Sequence, residues 1–172
     1  GVLRPGLAII GSQITAGKAC LGLHHFAPTS GTPTLISVFN ASNDLTSVLY
    51  NSTGGSWTSR KTGLAANAKM RFLTFLDTVV GINGTDKITS TDSTTWNTTG
   101  GDLDLSNMPT GSLINEWQDR VFVAGVSGNL TRVYISSPAN AGSVSWTSGN
   151  DYIDVEPEDG GGTITALAKV PG

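Results

Sequence analysis

Three stretches of this chain carry the same order of elements. Residues 35–59 (LISVFNASNDLTSVLYNSTGGSWTS), 78–99 (TVVGINGTDKITSTDSTTWNTT) and 120–148 (RVFVAGVSGNLTRVYISSPANAGSVSWTS) each run apolar strand, Asn/Gly/Ser/Asp turn, second strand, polar loop and Trp. The matching positions Asn40, Asn83 and Gly125 lie 43 and 42 residues apart, and Trp57, Trp96 and Trp146 close the three units. A short hairpin cannot bury its apolar face alone, so a unit repeated along the chain must cover its neighbours. Several short strands per unit, at a period of about 40 to 45 residues, is the pattern of a β-propeller blade. The repeat therefore predicts an all-β fold of β-propeller-like blades, each a short antiparallel meander sheet.

Composition agrees. Charged residues are only 13% of the 172, and Thr, Ser, Asn and Gly are abundant, which favours strands and tight turns over helices rich in Ala, Glu and Lys. A chain of this length buries roughly 70% of its unfolded surface. The formal charge of −3, with ten Lys and Arg scattered singly, offers no basic stripe for a phosphate backbone or an anionic membrane. No apolar run is long enough to span a membrane, and the opening GVLRPGLAIIGSQ lacks the charged start and apolar core of a signal peptide, so a soluble chain is expected. The first residue is Gly where a native start would be Met, which implies processing or missing residues.

An apolar strand also precedes each repeated stretch: CLGLHHFAP (20–28), AKMRFLTFL (68–76), GSLINEWQ (111–118) and TITALAKV (163–170). We expect one propeller segment over 1–172, with blade-like units at 20–64, 68–108 and 111–155 and the first strand of another at 163–170. A short fourth strand per unit would carry Leu64, Leu103 or Ile153. GLAANAKMRFLTFL (63–76) is the one segment whose composition favours a helix, but its place in the repeat predicts a strand from about Arg71. Three units and a loose strand are too few to close a ring of four to eight blades, so the segment reads as an incomplete part of a larger propeller.

Candidate chemistry is sparse. STDSTTW (90–96) is close to the Asp-box, the S-x-D-x-G-x-T-W hairpin of sialidases, but is one residue short and lacks the Gly. The Asp-box is a fold-stabilising turn in which Asp and Ser bond backbone amides and Trp packs between strands. A sialidase would also need an Arg clamp, and Arg4, Arg60, Arg71, Arg120 and Arg132 show no spacing that suggests one. His24 and His25 are adjacent on a strand and point to opposite faces, so a structural or surface role outweighs joint metal ligation. DYIDVEPEDGGG (151–162) packs five carboxylates around Pro157 without the D-x-D-x-D-G spacing of a calcium loop, which favours a solvated tip over a calcium site. Cys20 is the sole cysteine, so no internal disulfide forms, and a buried small hydrophobe is expected of it. Sequons at Asn40, Asn51, Asn83, Asn97 and Asn129 fit either a secreted glycoprotein or hairpin turns built from the same residues. No catalytic residue, cofactor or metal ligand is assigned.

RPGL (4–7), GLHHF (22–26), VVGINGTDK (79–87), WQDRVFVAG (117–125), RVYISSPANAGSVSW (132–146) and DYIDVEPEDGGGTITAL (151–167) together resemble the propeller of tailed-bacteriophage structural proteins. Ser137-Pro138 stands where such relatives often carry Ser-Asp, and the family continues past the I-T-x-L strand into further blades. The resemblance implies a non-enzymatic virion component of the tail, a nozzle, hub or neck part made in the host bacterial cytoplasm. It implies as partners further copies in a homo-oligomeric ring, other tail or neck proteins, and viral DNA passing without specific binding. The alternative class is a secreted carbohydrate-binding or sialidase-like propeller.

Overall fold

The computed structural model describes residues 14, 18–53, 55–140, 142–146, 151–155 and 162–169. These residues form eleven strands, all paired antiparallel and arranged in three sheets, with no helix among them. The first sheet holds β1 (Cys20–Phe26), β2 (Thr34–Asn40), β3 (Thr46–Ser52) and β4 (Thr58–Ala65). The second holds β5 (Arg71–Phe75), β6 (Thr78–Ile82) and β7 (Lys87–Ser90). The third holds β8 (Leu113–Trp117), β9 (Arg120–Val126), β10 (Asn129–Ile135) and β11 (Tyr152–Asp154). In every sheet the spatial order is the chain order, so each is a meander. The all-β expectation holds, and β5 is a strand although its residues favour helix: it pairs with β6 along its whole length, from Arg71 opposite Ile82 to Phe75 opposite Thr78.

Two apolar cores separate the three sheets. Phe26, Ile36, Val38, Leu49, Leu64, Met70, Val79, Ile88 and Trp96 fill the space between the first and second sheets. Phe75, Val80, Ile82, Leu103, Leu105, Met108, Val121, Val123, Val144 and Trp146 fill the space between the second and third. Strand β6 faces both. Its alternation sends Val79 and Gly81 to one side and Val80 and Ile82 to the other, which is why VVGI (79–82) is apolar at successive positions rather than at every second one. Each such fully buried aliphatic side chain contributes about 1.5–3 kcal/mol. The first strands of successive sheets are neighbours, β1 beside β5 and β5 beside β8. The Met70 amide donates to the Leu21 carbonyl at 2.9 Å, and the Phe72 ring lies so close to Gly22 and Gly81 that a Cβ at either would come within 3.1 and 2.8 Å of it. At Gly22 the Cβ would also meet the Met70 carbonyl at 2.6 Å, so the close approach of β1 to the second sheet requires glycine there.

Several expectations are corrected. Leu64 and Ile153 lie on fourth strands, but Leu103 does not: Gly100 and Gly101 take positive φ, residues 101–107 coil into turns, and the buried Leu103 side chain fills the second core. The second sheet therefore has three strands. Beyond them a single bridge, Thr89 with Asn97, exchanges two backbone hydrogen bonds of 2.9 Å. Residues 162–169, expected to begin a further strand at 163–170, form no strand, and residue 170 lies outside the described residues. The segment runs across the outer face of the third sheet, where the Ile164 amide donates to Leu130 O at 3.0 Å and Asn115 Nδ2 donates to Leu167 O at 3.1 Å. Cys20, at the first position of β1, is exposed rather than buried. Among the described residues no helix is long and apolar enough to cross a membrane.

The three closing tryptophans differ in a regular way. Trp96, of the second unit, packs in the core shared with the first sheet and donates its Nε1 hydrogen to Ser93 O at 3.2 Å. Trp146, of the third unit, packs in the core shared with the second sheet and donates to Leu103 O at 3.0 Å. Trp57, of the first unit, is half-buried and belongs to neither core. Trp96 and Trp146 thus each fill the gap toward the sheet before their own. Trp96→Ala and Trp146→Ala should each lower unfolding free energy by about 3–5 kcal/mol, with Trp57→Ala costing distinctly less. Urea denaturation of the three variants measures the order, and equal losses at all three sites would contradict it.

Candidate functional site

A concavity lined wholly by polar residues lies where the interface between the first and second sheets meets solvent. Strand alternation puts Thr34, Ile36 and Val38 on the face of the first sheet that meets the second. Ile36 and Val38 are core, and Thr34, at the strand's start, extends that face beyond the core. Asn51 sits opposite Ile36 on β3, so it too points toward the second sheet. Its Nδ2 donates to Ser93 O at 2.9 Å and lies 3.3 Å from Ser93 Oγ, while its Oδ1 accepts from Arg60 Nε at 2.9 Å. One buried amide therefore ties β3, β4 and the turn after β7 together.

That turn is the STDSTTW segment. Asp92 Oδ1 accepts from Ser90 Oγ at 2.9 Å and from the amides of Thr94 and Thr95, both at 2.8 Å. Ser93 takes the left-handed conformation at φ 59° and is buried. The turn performs the fold-stabilising work expected of it, with Asp and Ser engaging backbone amides and Trp96 packed beneath. Burial raises the Asp92 carboxyl's affinity for a proton, but the amide bonds from Thr95 and Thr94, with side-chain bonds from Thr94 and Ser90, outweigh it. They hold the carboxyl far below the ordinary carboxylate range.

These residues line a solvent-open concavity of about 300 Å³. All eleven lining residues carry a hydroxyl, amide, guanidinium or carboxylate; Thr34, Asn51, Arg60, Asp92, Ser93 and Thr94 come from both sheets. Thr34 Oγ1 is the one buried side-chain polar atom without a hydrogen-bond partner among the described residues. A different groove, of about 330 Å³ and more apolar, lies between Trp117, Phe122 and Leu167 on the outer face of the third sheet.

Residues singled out from the sequence are mostly structural here. His24 and His25 do point apart: His24 is half-buried, stacks on Phe72 with centroids 5.6 Å apart and hydrogen-bonds Thr74 Oγ1 at 2.8 Å, while His25 is exposed. Desolvation, with help from the neighbouring His25, lowers the His24 pKa. Asn40, Asn51 and Asn83 are buried and hydrogen-bonded, so three of the five sequons cannot carry a glycan in the folded chain. Asn40 Oδ1 accepts from the Asn67 amide and from Ser47 Oγ, both at 3.0 Å, and Asn83 Oδ1 accepts from the Thr85 and Asp86 amides at 2.9 and 2.5 Å. Of the acidic stretch 151–162, residues 156–161 lie outside the described residues. Asp154 is paired in fork geometry with Arg132, at 2.7 and 3.3 Å. No group of three or more His, Cys, Asp or Glu among the described residues could hold a metal ion.

Sequence reasoning passed over Thr34, Asn51 and Arg60 as members of one pocket. Thr34 differs from its surroundings by being the polar residue that opens an otherwise apolar core face, and Asn51 interrupts the inward alternation of β3 after Leu49. Those two breaks in pattern are the signal that was there to read. Comparison of the chain with protein families, with characterised proteins and with solved structures gives no match.

The Asp92 turn generates a pH dependence. Its folded-state carboxyl titrates below the unfolded aspartate value of about 3.9. The stability it contributes is therefore fully present above that value and is lost as pH falls from there toward the folded one. Asp92→Asn, which keeps an acceptor oxygen, should flatten this part of the profile. Denaturation midpoints of the two proteins, measured from about pH 5 to about pH 2, should converge as the acid strengthens; parallel profiles would remove the carboxylate from the account.

Proposed function

We propose that the three sheets are consecutive blades of a β-propeller, and that the chain is a non-catalytic structural component of a bacteriophage virion, most plainly of the tail in its nozzle, hub or neck region. The observation that carries the assembly part of this reading is that the stack of sheets is built to continue at both ends. Trp96 and Trp146 each fill the gap toward the preceding sheet, and Trp57 occupies the equivalent position with no described sheet before it. At the other end, residues 162–169 lie against the third sheet, Asn115 Nδ2 of β8 donating to Leu167 O, and they form no strand; we read this segment as the start of a further unit. The outer faces of the first and third sheets carry Leu23, 65% exposed, and Trp117, 49% exposed, where the corresponding faces of the second sheet are closed. Such a stack is a stiff module whose end faces demand neighbours.

The phage assignment rests on the likeness of VVGINGTDK, WQDRVFVAG and the segments around them to tail propellers. In a virion the module would recur as identical copies around one axis, the patch on each meeting a different patch on the next under closed rotation. The low charge and the many Ser, Thr and Asn suit broad, permanent contacts, and a mildly acidic surface would let DNA pass without adhering. A secreted glycan-binding propeller is the second reading, favoured by the polar pocket between the first two sheets. Burial of three sequon asparagines removes one argument for secretion.

Neighbouring genes and particle composition separate the two. The chain should be found by mass spectrometry in purified phage particles, and electron microscopy should place several copies of its three sheets around the tail axis. A chain absent from particles and encoded beside sugar-transport genes would favour the second reading.

A further inference from the structure

We propose that the outer face of the third sheet, with residues 162–169 laid against it, is an acceptor groove for a β-hairpin from outside this sequence, one that turns aliphatic side chains inward and is followed by a tryptophan. The inference rests on reading the sheets as consecutive blades, and it names what the last of them takes next. Strand register carries it. The last residue of each first strand is aromatic and stands opposite the first residue of the second: Phe26 opposite Thr34, Phe75 opposite Thr78, Trp117 opposite Arg120. Two residues earlier, His24, Leu73 and Asn115 stand opposite Ile36, Val80 and Phe122. In the first two sheets these places face the sheet that follows: Phe26 and Ile36 lie in the first core and Phe75 and Val80 in the second, none of them more than 8% exposed. In the third sheet Val121 and Val123 take the second core, so alternation turns Phe122 and Trp117 outward, and Trp117 is 49% exposed. Ile153, opposite Val133 and so in line with Ala124, extends the same face and is 55% exposed. One aromatic place is thus buried twice by a following sheet and left open once.

The occupant's chemistry follows from the two gaps already filled. Into the first gap the second sheet sends Val79, Ile88 and Trp96; into the second gap the third sheet sends Val121 and Val123, with Trp146 of the same unit. Residues 162–169 lie against β8, where Asn115 Nδ2 donates to Leu167 O and Lys169 Nζ pairs with Glu116 at 2.7 Å. Between that segment and the sheet, Trp117, Phe122 and Leu167 line a solvent-open groove of about 330 Å³. A second copy of this chain suits the groove less well, because its first sheet arrives with a β1 of its own, which would meet residues 162–169 in the same place. A hairpin can instead pair along that segment and lay its aliphatic side chains on Trp117 and Phe122.

The test titrates the whole chain, labelled with nitrogen-15, with an unlabelled peptide of residues 78–99, which carries the middle strand, third strand and tryptophan of the second unit. Saturable shifts should centre on Trp117, Phe122 and residues 164–169, including the Trp117 indole signal. A peptide carrying Val79→Asp and Trp96→Ser should fail to saturate. In the chain, Trp117→Ser should weaken binding about tenfold or more, as for a central anchor, while Trp117→Phe, which restores the residue type of Phe26 and Phe75, should stay within about threefold of the wild type. Both variants should melt close to the wild type, since the indole is half exposed. The proposal is overturned if the peptide does not saturate, if its shifts centre on Leu23 and Tyr50 of the first sheet, if the altered peptide binds equally, or if Trp117→Ser changes nothing. Sedimentation of the chain alone adds one further arm: self-association abolished by Trp117→Ser would make a second copy the occupant and overturn it too. All readouts are on the isolated chain, so failure here is distinct from absence of the chain from phage particles.

Discussion

The second sheet is buried on both faces, and the rest of the structure depends on that. With Val79 in one core and Val80 and Ile82 in the other, β6 reaches its full burial only when the first and third sheets are both in place. The constraint reaches down to single residues. Gly22 and Gly81 admit the Phe72 ring, Trp96 and Trp146 close the two gaps, and the indole hydrogens are satisfied by carbonyls of nearby turns rather than left buried and unpaired. It also explains the two end faces, because a unit designed to be covered twice is covered once when it stands at the end of a row.

Polar groups hold the edges of this stack as apolar groups hold its centre. Asn40, Asn83 and Asp92 each accept from backbone amides at a turn, and Asn40 and Asp86 carry the bonding from one sheet to the next through the Asn67 and Ala65 amides. Asn51 does the same between β3 and the Asp92 turn. The abundance of Asn, Asp and Ser is thus a requirement of sheets that meet at their ends, where backbone amides would otherwise be buried without partners. Among the described residues, Thr34 Oγ1, beside Asn51, is the one buried side-chain polar atom left without a partner.

Most of the strands were legible because their signal is local. Alternation in RVFVAG, turn residues in N-G-T-D and the position of RFLTF within the repeat all report on neighbours a few residues away, and β9, the turn after β6 and β5 appear where they point. What was illegible depends on contacts between units. Leu103 looks like a strand residue by analogy with Leu64, but Gly100 and Gly101 turn the chain and deliver it to the core instead. Cys20 reads as an interior residue by type, yet it stands exposed at the start of β1. The pocket escaped notice for the same reason: nothing in the spacing of Thr34, Arg60 and Asp92 says that β2, β4 and the turn after β7 converge.

Because every ladder among the described residues joins strands that follow one another in the chain, most pairings close short loops, the connection from β10 to β11 being the longest within a sheet. Hairpins of the first sheet can therefore assemble before the second has been synthesised, and the second before the third. On a ribosome the growing end would always present a finished face to the next unit emerging, so order of synthesis and order of stacking coincide. A fold arranged this way lengthens by adding units without undoing those already made.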